Sequence, residues 1–137
     1  MTITLSLCIV NHRTPALLRQ CLDSIVQAAA GCDLEVYVVN NTADDADEVR
    51  ARVAAVPGGH FLQNAAPLGF AANQNQMLRQ ASGRYRLPLN SDTALQPGAL
   101  AELCAFMTRT RAPPWPGRGW CAPMATCSPP AATSLPR

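Results

Sequence analysis

Asparagine side chains follow four short apolar segments of the sequence, and an aspartate accompanies the last of them. These residues are Asn11, Asn40 with Asn41, Asn64, and Asn90 with Asp92. An amide offers both donors and an acceptor, so a row of amides suits a ligand with a base, a ribose and a pyrophosphate. Each asparagine taken singly also fits a plain turn, because Asn forms local hydrogen bonds in turns. Their recurrence after all four segments favours a binding edge.

The Asn90-Ser91-Asp92 segment carries the most specific chemistry of this set. A carboxylate at the mouth of a parallel sheet can hold a hard divalent cation, which neutralises a diphosphate while phosphate oxygens and water complete its coordination. The alternative is an exposed turn ahead of the helix that Pro97 opens. The segment therefore predicts a cation site only together with the other strand ends.

Other phosphate and metal sites lack their motifs in this sequence. No GxGxxG follows the first apolar segment, where the chain reads Asn11-His12-Arg13-Thr14, and no P-loop pattern occurs. His12 and Arg13 could still approach a phosphate, although a lone His beside a helix start is more often a surface residue. The six cysteines form no CxxC pair, and neither histidine stands at metal-ligand spacing to them. A zinc site and disulfides are not expected.

The composition predicts one domain and argues against nucleic acid and membrane spans. The chain has 137 residues and 48% apolar residues, and no apolar run reaches the roughly 20 residues that a membrane span needs. Its eleven basic residues are all Arg and are scattered along the sequence, which gives a net charge of +2 without a basic stripe. Without a signal peptide pattern, we expect a cytoplasmic protein, with the inner face of the bacterial membrane as an alternative place.

Hydrophobic periodicity predicts alternating strands and helices. Strands are predicted over 2–10, 34–39, 60–63 and 85–89, and helices from 15 to about 31, after Thr42 to about 55, over 70–81 and from 97 to about 109. Thr14 with Pro15 supplies a helix N-cap and first residue, and Thr42 with Asp45 resembles a capping box. The alternation predicts an α/β fold with a doubly wound, mainly parallel sheet, whose ligands bind at the carboxyl ends of the strands.

Four segments of the chain resemble successive blocks of the family 2 glycosyltransferases, in the right order and spacing. They are LSLCIVNHRTPALLRQCLDSI, DLEVYVVNN, PLGFAANQNQ and ASGRYRLPLNSDTALQPGAL, and the resemblance is greatest to the bacterial rhamnosyltransferase-like branch. It implies the GT-A fold over residues 1–111, as the half that binds the nucleotide sugar. It also implies transfer of a sugar from a nucleotide diphosphate sugar, linked to UDP or dTDP, with Mg²⁺ or Mn²⁺ as cofactor. The acceptor would be a glycan or a lipid-linked sugar in cell wall or polysaccharide biosynthesis.

The resemblance also assigns the strand-end residues. Asn11 marks the first nucleotide-contacting loop. Asn40, with Asn41 beside it, stands where the family usually has an Asp that contacts the base or ribose, so a charge-assisted hydrogen bond is replaced by a weaker neutral one. Asn90 and Asp92 match the family's DxD-like motif in its N-x-D form, with Asp92 as the metal and diphosphate ligand.

The third block resembles the loop over the nucleotide and the helix that follows it. Gly69 and Phe70 match the loop, Asn73 and Asn75 lie in the helix start, and Met77 replaces a commonly small residue. Pro88 is unusual in a segment predicted to be a central strand, because proline removes a ladder donor.

The sequence from residue 112 to 137 differs from what precedes it. It holds seven of the twelve prolines and no acidic residue, so we predict an irregular tail. One hypothesis is a slip of the reading frame near residue 110, because residues 122–128, back-translated with GC-rich codons and read one base earlier, can encode Pro-Asp-Gly-Asp-Leu-Gln, which resembles the family's continuation. A natural linker or a proline-rich interaction tail is the alternative. The family's general base belongs to an acceptor half that we do not find, so we expect donor binding without transfer.

A second function class is compatible with the same residues. The chain would then be a non-catalytic binding or assembly module whose nucleotide site is a vestige and whose proline-rich tail recruits a partner.

Overall fold

A computed structural model describes residues 3–29 and 31–110 of the chain, in which four strands alternate with four helices. The strands are β1 (Leu5–Asn11), β2 (Leu34–Asn40), β3 (Gly59–Gln63) and β4 (Tyr85–Asn90). The helices are α1 (Pro15–Ala28), α2 (Ala46–Ala54), α3 (Phe70–Gln80) and α4 (Ala99–Arg109). The predicted order of elements is confirmed. The predicted irregular tail from residue 112 lies outside the described residues.

The four strands form one parallel sheet in the order β3-β2-β1-β4. Asn11 pairs with Asn40, Asn40 pairs with Gln63, and Asn90 pairs with Val10. Because all the strands run the same way, their polar last residues share one edge. The predicted placement of the strand-end residues along one edge is thereby confirmed.

Helices cover both faces of the sheet, as in a doubly wound fold. Leu5, Leu7 and Ile9 of β1 point to the face that α1, α2 and α4 cover, and Cys8 points to the face that α3 covers. This arrangement follows from the period of two in the first strand, since successive side chains point to opposite faces. Met77 of α3 is fully buried in the apolar cluster between α3 and the sheet, which explains why a large residue is accommodated there.

The start of α1 is as predicted, whereas the starts of α2 and α4 differ. Pro97 does not open α4, which begins at Ala99, because Gly98 before it is left-handed with φ of 80° and is the N-cap residue. Thr14 is the N-cap residue of α1 and Pro15 its first residue, although the Thr14 side chain makes no capping bond. The capping box of Thr42 and Asp45 is wrong, because α2 begins at Ala46 and Asp45 is itself the N-cap residue. The Asp45 carboxylate turns away from the helix toward side-chain amides at the sheet edge.

The expectation that Pro88 lies in a central strand is not met within the described residues, where β4 pairs only with β1. Tyr85 N donates to Thr4 O of the chain before β1. Since donors alternate in a parallel ladder, the Pro88 nitrogen points away from β1. The missing N–H therefore costs no bond in this sheet.

A buried carboxylate ties the turn between α3 and β4 to the amino-terminal end of the sheet. Glu35 of β2 is 6% exposed and accepts hydrogen bonds from Ser6 Oγ at 2.6 Å and Ser82 N at 2.6 Å. It also accepts from Gly83 N at 3.3 Å. Gly83 fits this turn because a Cβ there would lie 2.7 Å from the backbone nitrogen of Ser6.

We expect the thiols of Cys8 and Cys21 to resist alkylation. Burial is the main cause that raises the pKa of each from 9.0 to about 11, with a smaller contribution from a nearby carboxylate. Because the thiolate is the nucleophile, its fraction at pH 8 should fall about 100-fold for each. Site-resolved mass spectrometry after iodoacetamide treatment measures this, with half-buried Cys32 as the internal comparison. Labelling of Cys8 as fast as Cys32 would contradict the burial.

Among residues 3–29 and 31–110, no helix is both long and apolar enough to cross a membrane.

Candidate active site

An open cleft of about 390 Å³ lies at the carboxyl edge of the sheet, between β1, β4 and the start of α3. It is lined by Val10, His12, Thr14, Leu17, Asn41, Phe70, Asn73, Asn90, Ser91 and Asp92. The lining combines amides, hydroxyls, one carboxylate and an aromatic ring. Apolar surface together with a few polar groups is the lining that small-molecule sites usually have.

The predicted site residues fall into three sets in this structure. Five of them line the cleft, namely Asn41, Phe70, Asn73, Asn90 and Asp92. Asn11 and Asn40 are fully buried and are not part of the cleft lining. Gly69 is the N-cap residue of α3, directly before Phe70.

Asn41 and Asn73 use their amides to hold the loop between β3 and α3. Asn41 donates to Leu68 O at 3.1 Å and accepts from Leu68 N at 3.2 Å. Asn73 donates to the same carbonyl at 3.0 Å, and Asn64 donates to both asparagines at 2.7 Å. The side-chain oxygen and nitrogen of Asn41 and of Asn73 are thus all engaged in hydrogen bonds. These amides shape the cleft wall and position Phe70, whose side chain is 58% exposed.

A second cluster of amides surrounds Asn40. Its nitrogen lies 2.6 Å from Thr42 O, 2.9 Å from Asp45 Oδ1 and 3.1 Å from Gln63 Oε1. Its oxygen accepts from Asn11 Nδ2 at 2.8 Å. Acceptors around this atom require a donor there, which the amide nitrogen with its two hydrogens supplies and a carboxylate oxygen does not. A carboxylate at position 40 would face the Asp45 carboxylate instead, so the local structure explains why the chain has Asn at this position.

The turn between β1 and α1 brings His12 and Thr14 to the cleft. Arg13 adopts a left-handed conformation with φ of 58°, which is uncommon for a residue other than glycine. Its N–H donates to Thr42 Oγ1 at 3.2 Å, so the turn is fixed to the loop after β2. The conformation places exposed His12 in the cleft lining, where an imidazole can meet a phosphate.

The turn after β4 presents Asp92 to solvent at the mouth of the cleft. Thr93 N donates to Asn90 O at 3.2 Å, which closes the turn. The field of Asp92 reaches the interior, since it adds to burial in raising the pKa of the Cys21 thiol. Among the described side chains we find no hydrogen-bond partner for the Asn90 amide or the Asp92 carboxylate. Both are therefore available to a ligand.

The side chains at the turn after β4 bear on the cation that the N-x-D motif implies. Within residues 3–29 and 31–110, no three His, Cys, Asp or Glu residues come together as a metal cluster. The oxygens of Asp92, Asn90 and Ser91 nevertheless form a hard donor set of the kind that Mg²⁺ and Mn²⁺ prefer. The residues fit a cation that a diphosphate and water help to coordinate.

Sequence reasoning gave no site role to Asp45 or Gln63. Gln63 is the last residue of β3, so the strand-end rule that found the asparagines would have found it if applied to that position. Asp45 gave no such signal, because an acidic residue near a helix start is ordinarily a cap.

Comparison with known proteins decides the family. The model of the glycosyl transferase family 2 matches residues 6–118, a range that ends beyond the predicted domain boundary at residue 111. The chain belongs to glycosyl transferase family 2. This family 2 domain is 32% identical over 99 residues to an uncharacterized protein of Mycobacterium tuberculosis (strain CDC 1551 / Oshkosh), MT1568. The match covers 72% of this chain and 31% of that protein.

The family 2 domain also shares its fold with solved structures of S. aureus TarS. The structure of TarS residues 1–349 superposes with a TM-score of 0.69 at 19% identity, over 78% of this chain and 33% of that one. The complexes of the same TarS segment with UDP and with UDP-GlcNAc each give 0.68 at 18% identity, over 78% of this chain and 32% of theirs. The GT-A-like fold implied by the resemblance is confirmed. The chain spans about a third of the length of each of these proteins.

Proposed function

We propose that the cleft binds the nucleoside diphosphate of a UDP-linked or dTDP-linked sugar, with Mg²⁺ or Mn²⁺ at Asp92. In the complete enzyme this donor would serve glycosyl transfer to a glycan or a lipid-linked sugar. The observation that carries the proposal is the carboxyl-edge cleft, whose lining combines exposed Phe70 with Asn90 and Asp92, two side chains without a hydrogen-bond partner among the described residues. Membership in family 2 and the UDP complexes of TarS support the same ligand class.

The chemistry of the cleft suggests how the ligand is divided along it. The face of Phe70, the first residue of α3 after the loop held by Asn41, can stack on a base, and stacking is tolerant of the base because every base has a π face. Asp92 would hold the cation, whose charge would offset the repulsion between this carboxylate and the diphosphate. In this proposal Asn11 and Asn40 do not touch the nucleotide, because both are fully buried.

The chain should bind UDP in the presence of Mn²⁺ at least about 10-fold more tightly than it binds UMP. The second phosphate adds oxygens that the cation can bridge, and a tenfold change corresponds to about 1.4 kcal/mol. Isothermal titration calorimetry with UDP, dTDP and UMP measures the three affinities. ADP is the control for recognition of the base.

Binding of UDP that is no tighter than binding of UMP would remove the diphosphate from the proposal. Absence of any nucleotide binding would favour the second class, a family 2 fold that acts as a binding or assembly module.

A further inference from the structure

The Asp45 carboxylate bridges the ends of the two central strands. Its Oδ2 accepts from Asn11 Nδ2 at 3.1 Å, and its Oδ1 accepts from Asn40 Nδ2 at 2.9 Å. A hydrogen bond to a charged group is roughly twice as strong as a neutral one. The carboxylate therefore fixes which way both buried amides point.

The direction of the Asn11 amide sets the direction of the next hydroxyl. Because Asn11 Nδ2 faces Asp45 and the Asn40 oxygen, its Oδ1 must face the other way, toward Thr14 Oγ1 at 3.2 Å. That oxygen can only accept, so the Thr14 hydroxyl donates its single proton to it.

The same reasoning fixes the Ser91 hydroxyl in the cleft. Ser91 Oγ lies 3.3 Å from Thr14 Oγ1, and geometry alone permits either to donate. Since the Thr14 proton is already used, Ser91 must donate and Thr14 must accept. The Ser91 proton then points inward, and its oxygen presents lone pairs to the cleft beside Asp92.

We infer that Asp45 is a positioning residue that acts through Asn11 and Thr14 to hold Ser91 as a hydrogen-bond acceptor for an O–H donor of the bound ligand. The donor is a ribose hydroxyl or a water molecule bound to the cation. The inference rests on the proposed function, because it names a further contact in the same cleft.

Single substitutions along this chain of hydrogen bonds should each weaken binding of UDP with Mn²⁺ about 3- to 10-fold, the range expected for one hydrogen bond. The substitutions are Asp45→Asn, Thr14→Val and Ser91→Ala. Thr14→Val removes no helix cap, because the Thr14 side chain makes no capping bond. Thr14→Ser keeps the hydroxyl and should restore affinity to within about twofold of the original chain, which is less than the loss of one hydrogen bond.

Asp47→Asn is the matched control for Asp45→Asn. Asp47 is exposed in the first turn of α2, the helix that Asp45 caps. Its substitution removes the same charge without changing a partner of either amide. The double variant Thr14→Val with Ser91→Ala should bind as Ser91→Ala does, because residues that act through one another are not additive. A merely structural loss at two separate places would add.

NMR of the ligand-free chain tests the hydrogen bonds from Asp45 to the two amides independently of any nucleotide. The side-chain amide resonances of Asn11 and Asn40 should shift in Asp45→Asn and stay in place in Asp47→Asn. Unchanged resonances in Asp45→Asn would overturn the inference whatever the affinities are.

The calorimetric outcomes separate the two proposals. If the unaltered chain binds UDP while Ser91→Ala binds equally well, the inference fails and the proposed function stands. If the unaltered chain binds no nucleotide, the proposed function fails and Ser91 loses its role. A smaller effect of Ser91→Ala on 2′-deoxy-UDP than on UDP supports the ribose 2′-hydroxyl as donor, whereas equal losses support a donor common to both probes, such as cation-bound water.

Discussion

Replacing Glu35 with alanine is expected to lower the free energy of unfolding by about 3 kcal/mol or more, the largest stability effect that we expect from a polar residue of this chain. The carboxylate accepts hydrogen bonds from Ser6, Ser82 and Gly83 at a buried position. Without it, the buried Ser6 hydroxyl and the Ser82 N–H lose their acceptor, although Gly83 N still donates to Ser6 Oγ at 2.8 Å. A hydrogen bond to a charged group contributes about 1.5 to 3 kcal/mol. Urea denaturation followed by circular dichroism measures the loss.

Glu102→Ala provides the control for this substitution. Glu102 is an exposed glutamate in the first turn of α4, so its replacement should change stability by about 0.5 kcal/mol or less. Equal losses for Glu35→Ala and Glu102→Ala would show that the buried carboxylate does not hold the turn.

The contribution of Glu35 should also depend on pH in one direction. Desolvation by burial favours a raised pKa, but the hydrogen bonds from Ser6, Ser82 and Gly83 outweigh it, so the pKa of Glu35 lies below its ordinary 4.5. A lowered pKa in the folded state means that the stabilisation is complete above about pH 4.5 and is lost as the pH falls through the folded value. The stability difference between the original chain and Glu35→Gln should therefore shrink on acidification. A difference that grows below pH 4.5 would contradict this account.

Replacing Asp92 with alanine should weaken binding of UDP with Mn²⁺ about 10- to 100-fold, the largest effect on binding that we expect. Asp92 is the carboxylate of the cleft lining, and its loss leaves a neutral donor set for the cation. Interactions of charged groups contribute about 1.5 to 3 kcal/mol, and each 1.4 kcal/mol is a factor of ten in affinity. Calorimetry with UDP should be carried out with Mn²⁺ and again with EDTA.

Asp23→Ala is the matched control, because Asp23 is an exposed aspartate on α1 outside the cleft lining. It removes one negative charge, as Asp92→Ala does, and should leave the affinity within about twofold, since an exposed charge away from the ligand is largely screened. Binding of UDP that needs no metal and is unaffected by Asp92→Ala would refute the role proposed for Asp92.

The fold was predictable because its signals are local. The alternation of Leu5, Leu7 and Ile9 with Ser6 and Cys8 predicts both faces of β1 without knowledge of any partner. The edge that carries the site follows from parallel strands in the same way.

The direction of each side chain at that edge was not predictable, because it depends on partners distant in sequence. Asn40 and Asn41 are adjacent, yet the first is buried against Asp45 and Gln63 while the second lines the cleft. The buried role of Glu35 was hidden for a similar reason, since its donors at Ser6 and Ser82 lie 29 and 47 residues away. Sequence patterns show whether a segment has the hydrophobic period of a strand or a helix. They do not show which distant residue its polar side chains will contact.

The paired bonds between Asn41 and Leu68 reproduce with a side chain what a neighbouring strand does with its backbone. The amide donates to the Leu68 carbonyl and accepts from the Leu68 N–H, as one residue of a ladder does. The chain length from the end of β3 to Leu68 is thereby fixed, while the side chains of residues 65–67 are exposed. Loop grafts between family 2 domains can therefore exchange the chemistry of these three residues freely but must preserve their number, because one added residue would put a different peptide group opposite Asn41.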